Sequence, residues 1–184
     1  MDALVALTER VSVPRLVAPA PDAAQRERLF QAALRAPDHG QLKPWRFLTI
    51  EGDGLVELGE LFASSLPAES TPEALNKARN MPLRAPLMVV VIACVSEGHK
   101  VPVQEQVLAA GCAAHAMLLA AHAQGIGAVW RTGDMAYNPQ VLAGLGLQAN
   151  EQLVGYLYLG TPEKEPRTAP RPDITPFITR WPKV

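Results

Sequence analysis

At 184 residues, 48% hydrophobic and 19% charged, the chain is long enough for one domain with a sizeable core and too apolar to be disordered. A formal net charge of -1 supplies no field for long-range capture of nucleic acid, which excludes a polyanion partner as the main reading. Cys94 and Cys112 lie in apolar runs without ligand-like spacing, so both are expected to be buried, reduced thiols rather than disulfide or metal ligands. Asp2 and Glu9 stand where a secretory signal would need a basic region and an apolar run, and a cytoplasmic location is expected.

In chain order, residues 2–10 form a first helix capped by Asp2, with Leu4 and Leu7 on one face, and it delivers Arg10, Val11 and Ser12 to the following turn. Pro14, Pro19 and Pro21 keep the next stretch extended, and Asp22 caps a second helix in which Leu29, Ala33 and Ala36 suit close packing. That helix, whose last cation is Arg35, must stop before Pro37, since a residue preceding proline is pushed out of helical geometry. Asp38, His39, Gly40, Gln41 and Lys43 then crowd hydrogen-bonding groups into a connection where a plain turn would suffice, which makes the loop the first candidate binding site. A half-buried strand begins near Trp45.

Helices near 54–65 and 72–80, divided by Pro67 and Pro72, read as a solvated cover. Residues 87–95 are apolar on both alternations and predict a central strand covered on both faces. The alanine-rich stretch 105–124 predicts a helix buried on every side. It is too weakly hydrophobic for a membrane span and is interrupted by His115 and His122, so a second subunit is the expected cover. Gly125 and Gly127 end it, residues 128–130 make a short strand leading to Arg131, Thr132 and Gly133, and Pro139 opens a small helix that stops near Gly144. A last strand covers 152–160, and the proline-rich segment 162–184 is an arm of the same single domain, whose body is 1–161. The alternation of helices and strands indicates a layered α+β or α/β fold.

Arg10, Arg35 and Arg131 lie at element edges beside small or hydroxyl residues, a set that suits a phosphorylated cofactor: guanidinium forks, with Ser12, Thr132 and Gly133 adding hydroxyl and backbone donors. Trp45 and Trp130 read as core anchors, and His115 and His122 lack the further ligands a metal would need. There is no GxGxxG after a strand, no Walker loop, no CxxC and no nucleophile elbow, so nicotinamide would be a visiting substrate.

The stretch 35–52, in which a small-residue helix end leads through Asp38-His39-Gly40-Gln41 to Lys43-Pro44-Trp45 and a strand, resembles the flavin loop of the nitroreductase family. The resemblance extends from Arg10 and Ser12 to Gly160 and is closest to the short, minimal branch. It implies a homodimer with FMN at the interface and a nitroreductase-like fold, a central mostly antiparallel sheet flanked by helices. It further implies flavin contacts from Arg10, the Val11 backbone, Ser12, Arg35, His39, Gln41, Lys43, Arg131, Thr132 and Gly133, with Val11 and Lys43 departing from the usual arginine and amide. Nicotinamide would approach near Ala121, His122, Ala123, Gln124, Gly125 and Ile126. The implied activity is ping-pong hydride transfer from NAD(P)H through FMN to nitroaromatic, quinone or similar acceptors, the alternative being a flavin-sequestering protein without efficient turnover. No side chain need act as catalyst, because the flavin carries the hydride.

Overall fold

The computed structural model describes residues 1–182. Helix α1 (Ala3–Glu9) starts where the Asp2 carboxylate accepts from the backbone N–H groups of Leu4 and Val5, at 2.9 and 3.3 Å. After the short strand β1 (Leu16–Val17), helix α2 (Ala23–Ala33) opens on a reciprocal capping box between Asp22 and Gln25. Strand β2 (Trp45–Glu51) leads into α3 (Asp53–Ser64) and then α4 (Pro72–Arg79), whose first turn has Thr71 as cap and proline at the position that needs no N–H. Strand β3 (Leu87–Cys94), the long helix α5 (Val103–Ala123), strand β4 (Gly127–Arg131), helix α6 (Pro139–Gly144) and strand β5 (Glu151–Pro162) complete the order.

All strand pairings are antiparallel, as expected: β3 lies between β2 and β5, and β5 also pairs with β1 and β4. Trp45 stands opposite Ala93, and Val90 and Arg131 both stand opposite Tyr156. The register slips between Val91 and Ile92, leaving Val154 as the extra residue of a bulge beside Gly155.

Each face of the sheet has its own core. Val89, Val91, Ala93, Leu157 and Leu159 face α5 and α2, where Ala110, Ala113, Ala114, Met117, Leu29 and Ala33 are buried. Met88, Val90, Ile92, Tyr156 and Tyr158 face α3 and its neighbours. The segment expected to be a solvated cover therefore supplies part of the second core, because Leu55, Leu58 and Phe62 recur at helical spacing. Gly59 lets the backbone of Arg79 approach α3 where any Cβ would clash with its carbonyl.

Burial of the long helix departs from expectation in the isolated chain. α5 is long and apolar enough by composition to cross a membrane, yet one face packs into the core while Leu108, 59% exposed, Cys112 and His115 face outward. Cys112 is thus an exposed thiol, not a buried one, since its helical position falls on the face that turns away from the sheet. Cys94 is half-buried at the end of β3, where its thiol donates to Glu151 (3.4 Å) and burial, aided by that bond, pushes its pKa up to about 11. α1 buries no residue at all, so Leu4 and Leu7 lie open. Beyond β5 the described residues of the arm are irregular apart from one 3-10 turn at Thr175–Phe177, and Phe177 is 81% and Trp181 90% exposed.

Candidate functional site

The loop between α2 and β2 is held in a conformation that its sequence does not favour. Gly40, Gln41 and Lys43 have φ of 76°, 54° and 50°, and for the two non-glycine residues this left-handed backbone costs about 1 kcal/mol each. The surroundings enforce it: the Lys43 backbone N–H donates to Asp38 (2.6 Å), and His39 Nδ1 lies 2.8 Å from Glu105 in the first turn of α5. Just past the loop, Arg46 grips Glu151 through two bonds of 2.6 and 2.7 Å, which ties the start of β2 to the start of β5. Glu151 also accepts from the Gln148 N–H, and with Arg46 this holds its carboxyl down at about 2. Arg35, His39, Gln41 and Lys43 are all exposed on this loop or the helix end before it.

At the opposite end of α5 lies a trough. Arg10 and Val11, just beyond α1, line a cavity of about 260 Å³ with Leu118, His122, Gly125 and Ile126. It shares Val13 and Pro166 with a second cavity of about 450 Å³, lined by Ser12, Arg15, Lys164, Glu165 and Arg167. Val11 is buried, so it can offer only its backbone to a ligand there. Arg10, Lys164 and Arg167 have no carboxylate partner among the described residues, and the buried Nε2 of His122 has no hydrogen-bond partner. Of the other residues expected near nicotinamide, Ala121 is buried in the core, Ala123 is exposed, and the Gln124 amide donates to the Ala120 carbonyl (3.0 Å).

The structure thus does not gather the expected residues at one point of one chain. Glu105, which holds His39, and His122, which shares the trough with Arg10, lie about 25 Å apart along α5 at 1.5 Å per residue. Arg131, Thr132 and Gly133 form a third group at the end of β4 and line a further cavity. Arg131 lies on the face of the sheet opposite α5, its guanidinium carbon 5.9 Å from the centre of the Tyr158 ring. Gly133, at φ 72°, turns the chain into the 3-10 turn Asp134–Ala136.

Lys164 and Arg167 were not found by reading the sequence, where they are two charges in a proline-rich arm. Strand pairing alone brings them in: Leu16 pairs with Pro162, and the Glu163 N–H donates to the Arg15 carbonyl (3.2 Å), which lays residues 163–167 beside Ser12 and Arg15.

This chemistry suits a phosphorylated, partly aromatic ligand: unpaired cations and a hydroxyl at one end of the trough, an orphaned imidazole nitrogen and apolar walls at the other. Comparison with known proteins agrees. A model described as the nitroreductase family matches residues 7–161. "Putative NAD(P)H nitroreductase YdjA" of Escherichia coli K12 is 44% identical over 181 residues, 97% of this chain and 99% of that protein. A nitroreductase-like protein from Bacillus cereus superposes with a TM-score of 0.88 at 24% identity, covering 100% of this chain and 97% of that one. A "putative nitroreductase in complex with FMN" from Desulfovibrio desulfuricans superposes with a TM-score of 0.75 at 24% identity over 100% and 99% of the two chains.

Proposed function

This chain belongs to the nitroreductase family, and we propose from that membership that it is an FMN-dependent oxidoreductase using NAD(P)H to reduce electron-poor acceptors such as nitroaromatics and quinones. When bound, FMN would supply the redox chemistry that links oxidation of the nicotinamide to reduction of the acceptor. Arg10, Lys164 and Arg167, with the Ser12 hydroxyl, hold the phosphate end, where charge-assisted bonds to unpaired cations contribute most. His122 offers its orphaned ring nitrogen further along the trough, and Gly125 and Ile126 line the same cavity, where a visiting nicotinamide would approach. One open trough and no dinucleotide fold favour ping-pong kinetics, with parallel lines in double-reciprocal plots.

The observation that carries this reading is the separation of the two polar groups by the length of α5. His39, Gln41 and Lys43 lie far from Arg10 of the same chain, and a two-fold dimer packed through the open face of α5 would bring them to the partner's trough. The exposed apolar residues of α1 and the arm supply further surface for such a dimer. The test is a heterodimer of Arg10→Ala and His39→Ala/Gln41→Ala chains, isolated through two different affinity tags. A shared site predicts one FMN per heterodimer bound as tightly as in the unmutated protein and bleached by NAD(P)H without air, while both parent homodimers bind FMN about tenfold or more weakly. A heterodimer as empty as its parents would place the whole site within one chain.

A further inference from the structure

We propose that Glu105 is a positioning residue for the cofactor: by accepting from Nδ1 of His39 it leaves the other ring nitrogen, Nε2, as a hydrogen-bond acceptor for an N–H or O–H group of FMN. The proposal rests on the shared-site reading above and adds to it a residue that belongs to neither the polar loop nor the trough. His39 opens the 3-10 turn His39–Gln41, and its Nδ1 lies 2.8 Å from the Glu105 carboxylate. An ionised carboxylate only accepts, so the nitrogen facing it must carry the proton, and a neutral imidazole has a single N–H. In that form Nε2 is bare and can receive a donor but not a phosphate oxygen. An unconstrained neutral histidine favours the proton on Nε2, so the bond to Glu105 reverses the ordinary choice. The cations of the trough serve the anionic end of the cofactor, and His39 serves a neutral donor elsewhere on it.

The carboxylate is delivered on a rigid base. Glu105 stands in the first turn of α5, where the helix dipole favours a negative charge. Its neighbour Gln106 is buried, and the side-chain amide of Gln106 accepts from the Ser96 N–H (2.8 Å) and donates to the carbonyls of Ser96 (3.1 Å) and Val101 (3.0 Å). These bonds lock the connection between β3 and α5 onto the helix start. The same connection meets the polar loop, since a Cβ added at Gly40 would stand 3.3 Å from Cγ2 of Val101. Buried packing therefore sets the separation of His39 from Glu105. Among the described residues the Glu105 carboxylate has no other hydrogen-bond or ionic partner. Both side chains are exposed, at 62% and 46%, and an exposed pair of this kind contributes little to stability. Its loss should be felt in the proton on His39 and in the hold on FMN, not in unfolding.

The test uses the full-length protein freed of FMN by dialysis, its histidine nitrogens isotopically labelled for NMR, at about pH 9, well above the ordinary histidine value of about 6.5. In the parent, His39 is expected to show a protonated Nδ1 and a bare Nε2. Glu105→Gln, whose amide oxygen still accepts, should keep that pattern, and Glu105→Leu should reverse it. FMN affinity, followed by quenching of flavin fluorescence, should fall about tenfold in Glu105→Leu and in His39→Ala, and by less than about threefold in Glu105→Gln. Thermal midpoints should stay near that of the parent. In the double variant the losses should not add, because one residue acts through the other. The proposal is overturned if Glu105→Leu keeps the parent's tautomer, if either Glu105→Leu or His39→Ala binds FMN like the parent, or if Glu105→Leu weakens FMN as much in the His39→Ala background as in the parent. A parent that takes up no FMN defeats the proposed function and this proposal with it, whereas a loss in His39→Ala with none in Glu105→Leu refutes the role of Glu105 alone.

Discussion

The Arg46–Glu151 pair gives a quantitative handle on how the polar loop is held. Glu151 has a side chain only 7% exposed, accepts two bonds from Arg46, and has its carboxyl drawn from the ordinary 4.5 to about 2. At about 1.4 kcal/mol per tenfold in proton affinity, that difference is about 3 kcal/mol. Arg46 is 32% exposed, so water screens the pair from one side and about 2–3 kcal/mol is the expected contribution. Because the folded carboxyl is held below its unfolded value, this stability is fully present above about 4.5 and is lost as the pH falls towards 2. Glu151→Gln removes the charge and keeps the shape. In urea titrations followed by tryptophan fluorescence, at fixed protein and FMN concentration, the variant should be about 2–3 kcal/mol less stable at pH 7. The gap should narrow below pH 4.5 and be nearly closed at pH 2, where about half of the parent's own glutamate is protonated and resembles glutamine. A constant gap across that range, or none at pH 7, would refute the reasoning.

Arg10→Ala and Lys164→Ala should each weaken FMN retention by about tenfold, measured by equilibrium dialysis, since each removes a charge-assisted contact; unchanged affinity in both would clear the trough of this role. Gly155→Ala should cost at least about 2 kcal/mol in urea unfolding, because the added methyl would overlap the indole nitrogen of Trp130 at the bulge. Ending the chain at Arg167 keeps Lys164 and Arg167 but removes the exposed Phe177 and Trp181, so sedimentation should find a weaker dimer; an undiminished one would free the arm of any part in assembly.

The elements were legible because local chemistry fixes them: Asp2, Asp22 and Pro139 mark helix starts, and the unbroken apolar run of β3 reads as a strand buried on both faces. The site was legible only in pieces. His39 and Arg10 both stood out by residue type, yet their separation depends on the register of the sheet and on which end of α5 each loop meets. Lys164 and Arg167 become candidates only through the pairing of β1 with β5, a long-range contact with no local signal. The role of α3 in the core was missed because its acidic residues, Asp53, Glu57 and Glu60, mask an apolar stripe that appears once residues are taken at helical spacing.

The departures from local rules are not scattered. Left-handed backbone at Gln41 and Lys43 and the buried, orphaned nitrogens of His122 and Arg131 cost the lone chain free energy, and Arg10, Lys164, Arg167 and the apolar side chains of the arm stand without partners among the described residues. A core defect would be relieved by repacking, but every one of these sits at a surface, a cavity or a loop, where only something outside the chain can offset it. Under the proposed function, anions would answer the cations and the orphaned guanidinium, a hydrogen-bonding ligand the imidazole, and a second copy the apolar surface. The strained loop is the remaining term: because Asp38 and Glu105 hold it in place before any ligand arrives, the polar edge it presents to a partner is set during folding, and binding need not supply the ordering free energy.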